Sequence, residues 1–211
     1  MTLMKQSEVK GASDIQEGRY KVRKIIFFIG VALMAIGIGI IAWFFIQNNK
    51  SEQEMLKFTV EFMETLEEPV PEKILEGDTI GVLEFPVFGN EKIAIKEGVS
   101  NSVLNVAAGH MPETEEIWDD SGNCAIAAHN NTFFKNVAKF KVNDKIIVYT
   151  RQGIYEYTVF NIETIKPDDF SILDDFPNQK VLTLITCDFT GANREIVQAS
   201  GGVKIAEPKD I

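Results

Sequence analysis

Three residues in this sequence are scarce enough, and placed well enough, to carry out nucleophilic chemistry. Cysteine occurs twice, at Cys124 and Cys187, and histidine twice, at His110 and His129. Beyond residue 47 the only arginines are Arg151 and Arg194. Cys187 closes the run Val181-Leu-Thr-Leu-Ile-Thr-Cys187, whose β-branched and apolar residues read as a strand delivering a thiol to its C-terminal end. A thiol is a weak nucleophile until deprotonated, so it needs a nearby cation or base and some exposure. Arg194 follows across residues 188–193, a connection containing Gly191. A short connection between neighbouring strands sets its two ends side by side, where a guanidinium could hold a developing oxyanion. A surface ion pair with Asp188 or Glu195 accounts for Arg194 equally well on sequence alone. Arg151 falls at a hairpin tip, which predicts an exposed side chain.

For a proton carrier the sequence offers two histidines. His129 follows Ala125-Ile-Ala-Ala128, where an apolar strand gives way to Asn130-Asn131, and strand-to-loop transitions hold residues fixed yet reachable. Histidine can give and take protons near neutral pH. His110, in Ala107-Ala-Gly-His-Met-Pro112, sits where a helix is expected to end. There it can satisfy free carbonyls, so it has a structural role ready to hand. Cys124 lies in an apolar run and reads as a buried free thiol rather than half of a disulfide. Asp188, next to the nucleophile candidate, is expected to face solvent.

These residues must be positioned by a mostly β chain of 211 residues. Alternation and turn residues predict strands at 79–85, 92–96, 123–128, 145–150, 154–165, 180–186 and 194–198, with 203–206 as an extension. Short helical segments are expected at 100–108 and 132–138, and a short segment at 170–173. Seven or eight short strands with little helix indicate a closed or nearly closed barrel. Ahead of it, Ser51-Glu-Gln-Glu54 matches a capping box. Met55, Phe58, Phe62 and Leu66 then recur at helical spacing, and the segment ends at Glu67-Glu-Pro-Val-Pro71. That apolar stripe favours packing on the domain over a free stalk.

Residues 25–46 are a run of 22 uncharged residues. At about 1.5 Å per residue such a helix is roughly 33 Å long, enough for a hydrocarbon core of about 30 Å. No small-residue cleavage site follows, so a retained signal-anchor is expected rather than a removed signal peptide. Arg19, Lys21, Arg23 and Lys24 precede the run, which places the N-terminus in the cytoplasm and the remainder outside. The division expected is a cytoplasmic tail (1–24, irregular), a single transmembrane helix (25–46), a juxtamembrane helix and linker (47–78) and a β-domain (79–211). Residues 47–211 hold 15 Lys and Arg against 28 Asp and Glu, a formal charge of −13, which argues against nucleic acid as a partner.

Together these motifs resemble the sortase family of cysteine transpeptidases of Gram-positive bacteria. The likeness runs from about residue 79 to residue 198. It rests on Thr183-Leu-Ile-Thr-Cys187 with Arg194, on Ala127-Ala-His129, on Ile80-Gly-Val-Leu-Glu-Phe-Pro86 and on Lys166-Pro-Asp-Asp-Phe-Ser-Ile-Leu173. One departure is Ala127-Ala-His129, where the family usually has Ala-Gly-His. The resemblance implies a closed eight-stranded β-barrel with short helices, preceded by one transmembrane helix. It implies a catalytic trio of Cys187, His129 and Arg194, with Thr186, Ala128, Ile172 and Leu184 near the substrate. It further implies cleavage of an LPxTG-like sorting signal after Thr, through a Cys thioacyl intermediate. Transfer would be to an amine of the cell wall, on the peptidoglycan precursor lipid II, or to a pilin lysine.

The short 167–179 connection speaks against class B sortases and the polar C-terminus against class C, leaving a class A-like or class D-like enzyme. No cofactor and no metal is required by this chemistry. The acidic stretch Glu113, Glu115, Glu116, Asp119 and Asp120 could bind calcium, but its spacing fits no calcium motif and a solvated loop is favoured. Two other readings stay open: a non-catalytic, membrane-tethered β-domain binding wall or protein partners, and a thiol–disulfide oxidoreductase. The second lacks the usual Cys-x-x-Cys pair.

Overall fold

The computed structural model describes residues 2–210, without the side chains of residues 2–22, 25 and 48. The chain divides into two compact units, 1–48 and 49–211. Helix α1 spans Thr2–Glu64. No proline interrupts the sequence before Pro69, so helix neither starts at Ser51, as the capping box suggested, nor leaves 2–24 irregular. In the first unit the apolar side chains from Ile26 to Ile46 are largely exposed. The apolar stretch here has a mean hydropathy of 2.5 and is long enough to cross a membrane.

In the second unit eight strands close into a barrel. They are β1 (Thr79–Phe85), β2 (Glu91–Glu97), β3 (Ala108–His110), β4 (Gly122–Ala127), β5 (Lys145–Thr150), β6 (Gly153–Ile165), β7 (Lys180–Cys187) and β8 (Arg194–Ala206). Their order around the barrel is β1-β2-β3-β4-β7-β8-β6-β5. Closure leaves no unpaired edge for another chain to extend. Pairing is antiparallel except for β2 with β3 and β4 with β7.

One expectation is corrected here. The helix foreseen at 100–108 is one turn, α2 (Asn101–Leu104), and the following residues form β3. Gly109 permits this, since a Cβ there would collide with the backbone oxygen of Gly98. The extension expected at 203–206 is part of β8, which runs unbroken from Arg194 to Ala206.

The barrel is filled by large apolar side chains, among them Leu83, Phe85, Ile93, Ile126, Tyr157, Leu182, Leu184 and Val197. Phe85, Phe88 and Phe140 pack edge to face and Phe134 lies tilted against Phe85, with centroids 4.8–6.3 Å apart. Because strand side chains alternate, Leu182 and Leu184 point inward, so Leu184 is not a groove residue. It is fully buried in the core. Leu184→Ala is therefore expected to cost about 2–5 kcal/mol of stability, read by denaturant unfolding, with little effect on KM for any substrate.

The C-terminal end of α1 packs on the outside of the barrel. Phe62 and Leu66 cover Val82 and Tyr149. Arg151, expected in solvent, is instead folded over this end. Its Nε and Nη2 donate to Thr65 O and Oγ1 at 3.2 and 3.1 Å, and it lies 5.4 Å from the Phe62 ring centroid.

Candidate active site

The site is built where β4 and β7 leave the barrel side by side. Their parallel register pairs Cys124 with Leu182, Ile126 with Leu184 and Ala127 with Ile185. Two bonds carry this alignment past the strand ends. Ala128 N–H donates to Ile185 O at 3.1 Å, and Thr186 Oγ1 donates to Ala128 O at 2.8 Å. His129 and Cys187 each come one residue later, on strands about 4.8 Å apart. Leu182, Leu184, Ile126 and Ala128 belong to the core, so alternation turns Ile185, Cys187, Ala127 and His129 to the outer face.

Arg194 completes the group. In the antiparallel β7–β8 ladder it is the residue directly opposite Cys187, which places their Cβ atoms roughly 5 Å apart on one face. Its Nη1 donates to Asn193 O at 3.1 Å. The structure thus brings the three expected residues to one end of the barrel, all partly exposed. Cys187 is a free thiol. Cys124 is free too, but burial in the core pushes its thiol well above the usual cysteine range, which leaves it inert.

The loops on either side hold the outer face in place. After His129, Phe133, Phe134 and Val137 are buried and Phe134 N–H donates to His129 O at 3.0 Å, anchoring the backbone behind the histidine. Between Cys187 and Arg194, Gly191 takes φ +76°, a left-handed turn that glycine adopts without strain. Asp188 is tied up inside this loop. Thr190 Oγ1 donates to it at 2.8 Å and Asn193 Nδ2 at 2.9 Å. Desolvation opposes its charge, yet these bonds and the backbone N–H groups outweigh it and hold its carboxyl below the ordinary range.

The connection 166–179 lies over the outer face of β4 and β7 through a 3₁₀ turn, Ser171–Leu173. Asn123, which the sequence reading passed over, holds it there: Nδ2 donates to Ile172 O at 2.8 Å and Asp174 O at 3.2 Å. Thr183 Oγ1 donates to Asn123 Oδ1 at 2.7 Å, and Gln198 and Asn161 extend the chain across β8 and β6. Asn123 and Thr183 are fully buried, and a satisfied buried network of this kind rigidifies its surroundings. Its signal in the sequence was a lone amide in an otherwise apolar strand. The residues expected near substrate are all buried, Ile172 at this turn and Ala128 and Thr186 at the strand exits. Phe170 and Phe189, on the two flanking loops, are strongly exposed.

His110 stands apart from this group. It is on β3, not at a helix end, and is 1% exposed. Nδ1 is 2.9 Å from Glu97 Oε2, and Nε2 is 3.1 Å from Glu115 O. Glu116 Oε2 is 4.0 Å from Nδ1. Burial holds the Glu116 carboxyl above its ordinary range, partly offset by His110. Glu97, His110 and Glu116 could converge on a metal ion, but His110 and Glu97 are already each other's partners. Elsewhere in the acidic stretch, Glu115 Oε2 accepts from Asn123 N–H and Asp119 Oδ2 from Glu116 N–H, so these carboxylates shape the loop.

A family model for the Sortase domain matches residues 83–201, from β1 into β8 and over more than half of the chain. The chain belongs to the sortase family. Among sequence relatives, this sortase is 30% identical to Sortase A of Bacillus anthracis over 112 residues, covering 51% of each chain. It is 27% identical to Sortase A of Streptococcus agalactiae over 113 residues, 50% of this chain and 45% of that one. The sortase thus spans about half the length of the curated relatives it matches. In fold it is similar to a sortase D5 transpeptidase of Clostridium perfringens, with a TM-score of 0.65 and 29% identity, covering 71% of this chain and 98% of that one. The closed eight-stranded barrel that the resemblance implied is that family's fold.

Proposed function

We propose that this sortase is a membrane-anchored cysteine transpeptidase acting on LPxTG-like sorting signals, with Cys187, His129 and Arg194 as its catalytic residues. The observation that carries the reading is the pairing of Cys187 with Arg194 across β7 and β8, beside the strand exit that bears His129. The Cys187 sulfur attacks the carbonyl carbon of the signal's threonine, forming a C–S bond. Arg194, with a backbone N–H, stabilises the oxyanion. As the C–N bond on the far side of the threonine breaks, His129 gives its proton to the leaving amine. An incoming amine, from the peptidoglycan precursor lipid II or a pilin lysine, then attacks the thioester. It yields its proton to His129 and returns the thiolate.

The groove for the signal lies between the Ile172 turn and the outer face of β7, which Ile185 lines and Leu184 does not. Thr186 and Ala128 act by aligning the strand exits. Residues 25–46 anchor the enzyme with its N-terminus in the cytoplasm and the barrel outside, where tethered substrates meet it. The short 166–179 connection favours a class A-like or class D-like enzyme. No step passes through a metal, and calcium titration is expected to leave turnover unchanged.

A library of LPxTG-like peptides, offered to the full chain in detergent micelles with an amine nucleophile, tests this reading. Cleavage after threonine with transfer to the amine is expected. A library left intact, with Cys187 inert to alkylation in the folded protein, would favour a binding domain without catalysis.

A further inference from the structure

The exits of β4 and β7 are tied together twice, once on each side of His129 and Cys187. On the near side is the bond from Thr186 Oγ1 to Ala128 O, 2.8 Å. On the far side Asn130 Nδ2 donates to the backbone oxygen of Asp188 at 2.6 Å. The tied residues are Ala128 and Thr186 before the pair, Asn130 and Asp188 after it. We infer that Asn130 is a positioning residue that fixes the spacing between His129 and Cys187. This rests on the transpeptidase reading above.

The far tie is needed because the β4–β7 ladder has ended. The β4–β7 register stops at Ala127 and Ile185; β7 continues to Cys187 against β8, whereas the chain after β4 turns away into a loop. Cys187 is held by Arg194 across β8 and His129 by Phe134 N–H, but neither contact fixes the two exits relative to each other. A side-chain amide is suited to bridge the gap: it reaches a backbone oxygen that no longer has a ladder partner and donates without adding charge beside the thiol. The oxygen it grips is itself held still. Asp188 N–H donates to Asn193 O at 3.1 Å, Gly191 N–H donates to the same Asp188 O at 3.1 Å, and the Asp188 carboxylate is bonded to Thr190 and Asn193. Asn193 in turn precedes Arg194 and accepts its Nη1. One connected set of bonds therefore links the backbone after His129, the backbone after Cys187 and the guanidinium. Asn130 joins it from the β4 side.

The test uses the full chain in detergent micelles. Asn130→Ala is expected to lower kcat for a sorting-signal peptide roughly 10- to 100-fold, as for an ångström-scale misplacement, while KM is little changed. Asn130→Asp keeps the shape but turns an acceptor toward the Asp188 oxygen, and is expected to lose as much; it serves if the alanine variant folds poorly. A substrate-free readout is the rate at which iodoacetamide alkylates Cys187. In the native background His129→Ala is expected to change that rate. In the Asn130→Ala background the same replacement should leave it unaltered, because the coupling has already been lost. Turnover within twofold of the native enzyme in both Asn130 variants would overturn the inference. So would an equal effect of His129→Ala on alkylation in the two backgrounds. If the native protein cleaves no sorting-signal peptide, the proposed activity fails, and the alkylation cycle still decides the role of Asn130.

Discussion

The chain carrying Cys187→Ala is expected to cleave a sorting-signal peptide at no measurable rate, a loss on the order of 10^4-fold or more, as for removal of a nucleophile that acts in concert with its base. The loss should be complete because the chain has no substitute. The other thiol, Cys124, is in the barrel core with its ionisation suppressed by burial, and its side chain faces the opposite way from the outer face on which Cys187 stands. Cys124→Ala should accordingly retain turnover close to the native rate. Binding should survive in Cys187→Ala, since the 166–179 connection is held by Asn123, not by the thiol. Peptide affinity measured by fluorescence anisotropy is thus expected to stay near native while cleavage vanishes. Residual cleavage in this variant would move the chemistry elsewhere.

Arg194→Lys is expected to lower kcat by roughly 10²- to 10³-fold, the scale of losing one oxyanion donor, with KM little affected. The replacement keeps the charge, so a large loss would assign the role to geometry. The guanidinium presents five N–H donors in a fixed plane, and one of them is engaged with Asn193 O, which orients the rest. An ammonium on a flexible stem cannot bond that oxygen and hold the same fork toward an oxyanion. Steady-state kinetics on the lysine and alanine variants separate the cases. If lysine turns over like the native enzyme, Arg194 supplies field alone; if lysine and alanine are equally impaired, the planar fork is required.

The strands of the barrel and the Cys187–Arg194 pair were legible because their determinants are local. A strand that ends on a cysteine, a short glycine-bearing loop and an arginine specify a hairpin, and the hairpin specifies the Cys187–Arg194 pair. What the sequence hid depends on contacts between distant segments. β7 is covered on both faces, by the core inside and by the 166–179 connection outside, so its residues read as one apolar run. Nothing in that run says that Leu184 faces in and Ile185 out. β3 is three residues long and contains a glycine, a pattern that locally suggests the end of a helix. Its strand character comes from β2 and β4 on either side. Arg151 looked like an exposed hairpin tip because Thr65, whose carbonyl and hydroxyl oxygens receive it, is 86 residues away in sequence. The bond from Asn130 to Asp188 joins residues 58 apart, and no spacing rule points to it.

The central claim is that Cys187 becomes acylated by the threonine carbonyl of a sorting signal. Intact-mass spectrometry of the enzyme, quenched in acid after mixing with such a peptide and no amine nucleophile, tests it most directly. The account predicts an adduct equal to the peptide through its threonine, mapped by digestion to Cys187, that disappears when an amine is added. Peptide cleavage with no adduct on the enzyme, or an adduct mapped to Cys124 or any other residue, would contradict it.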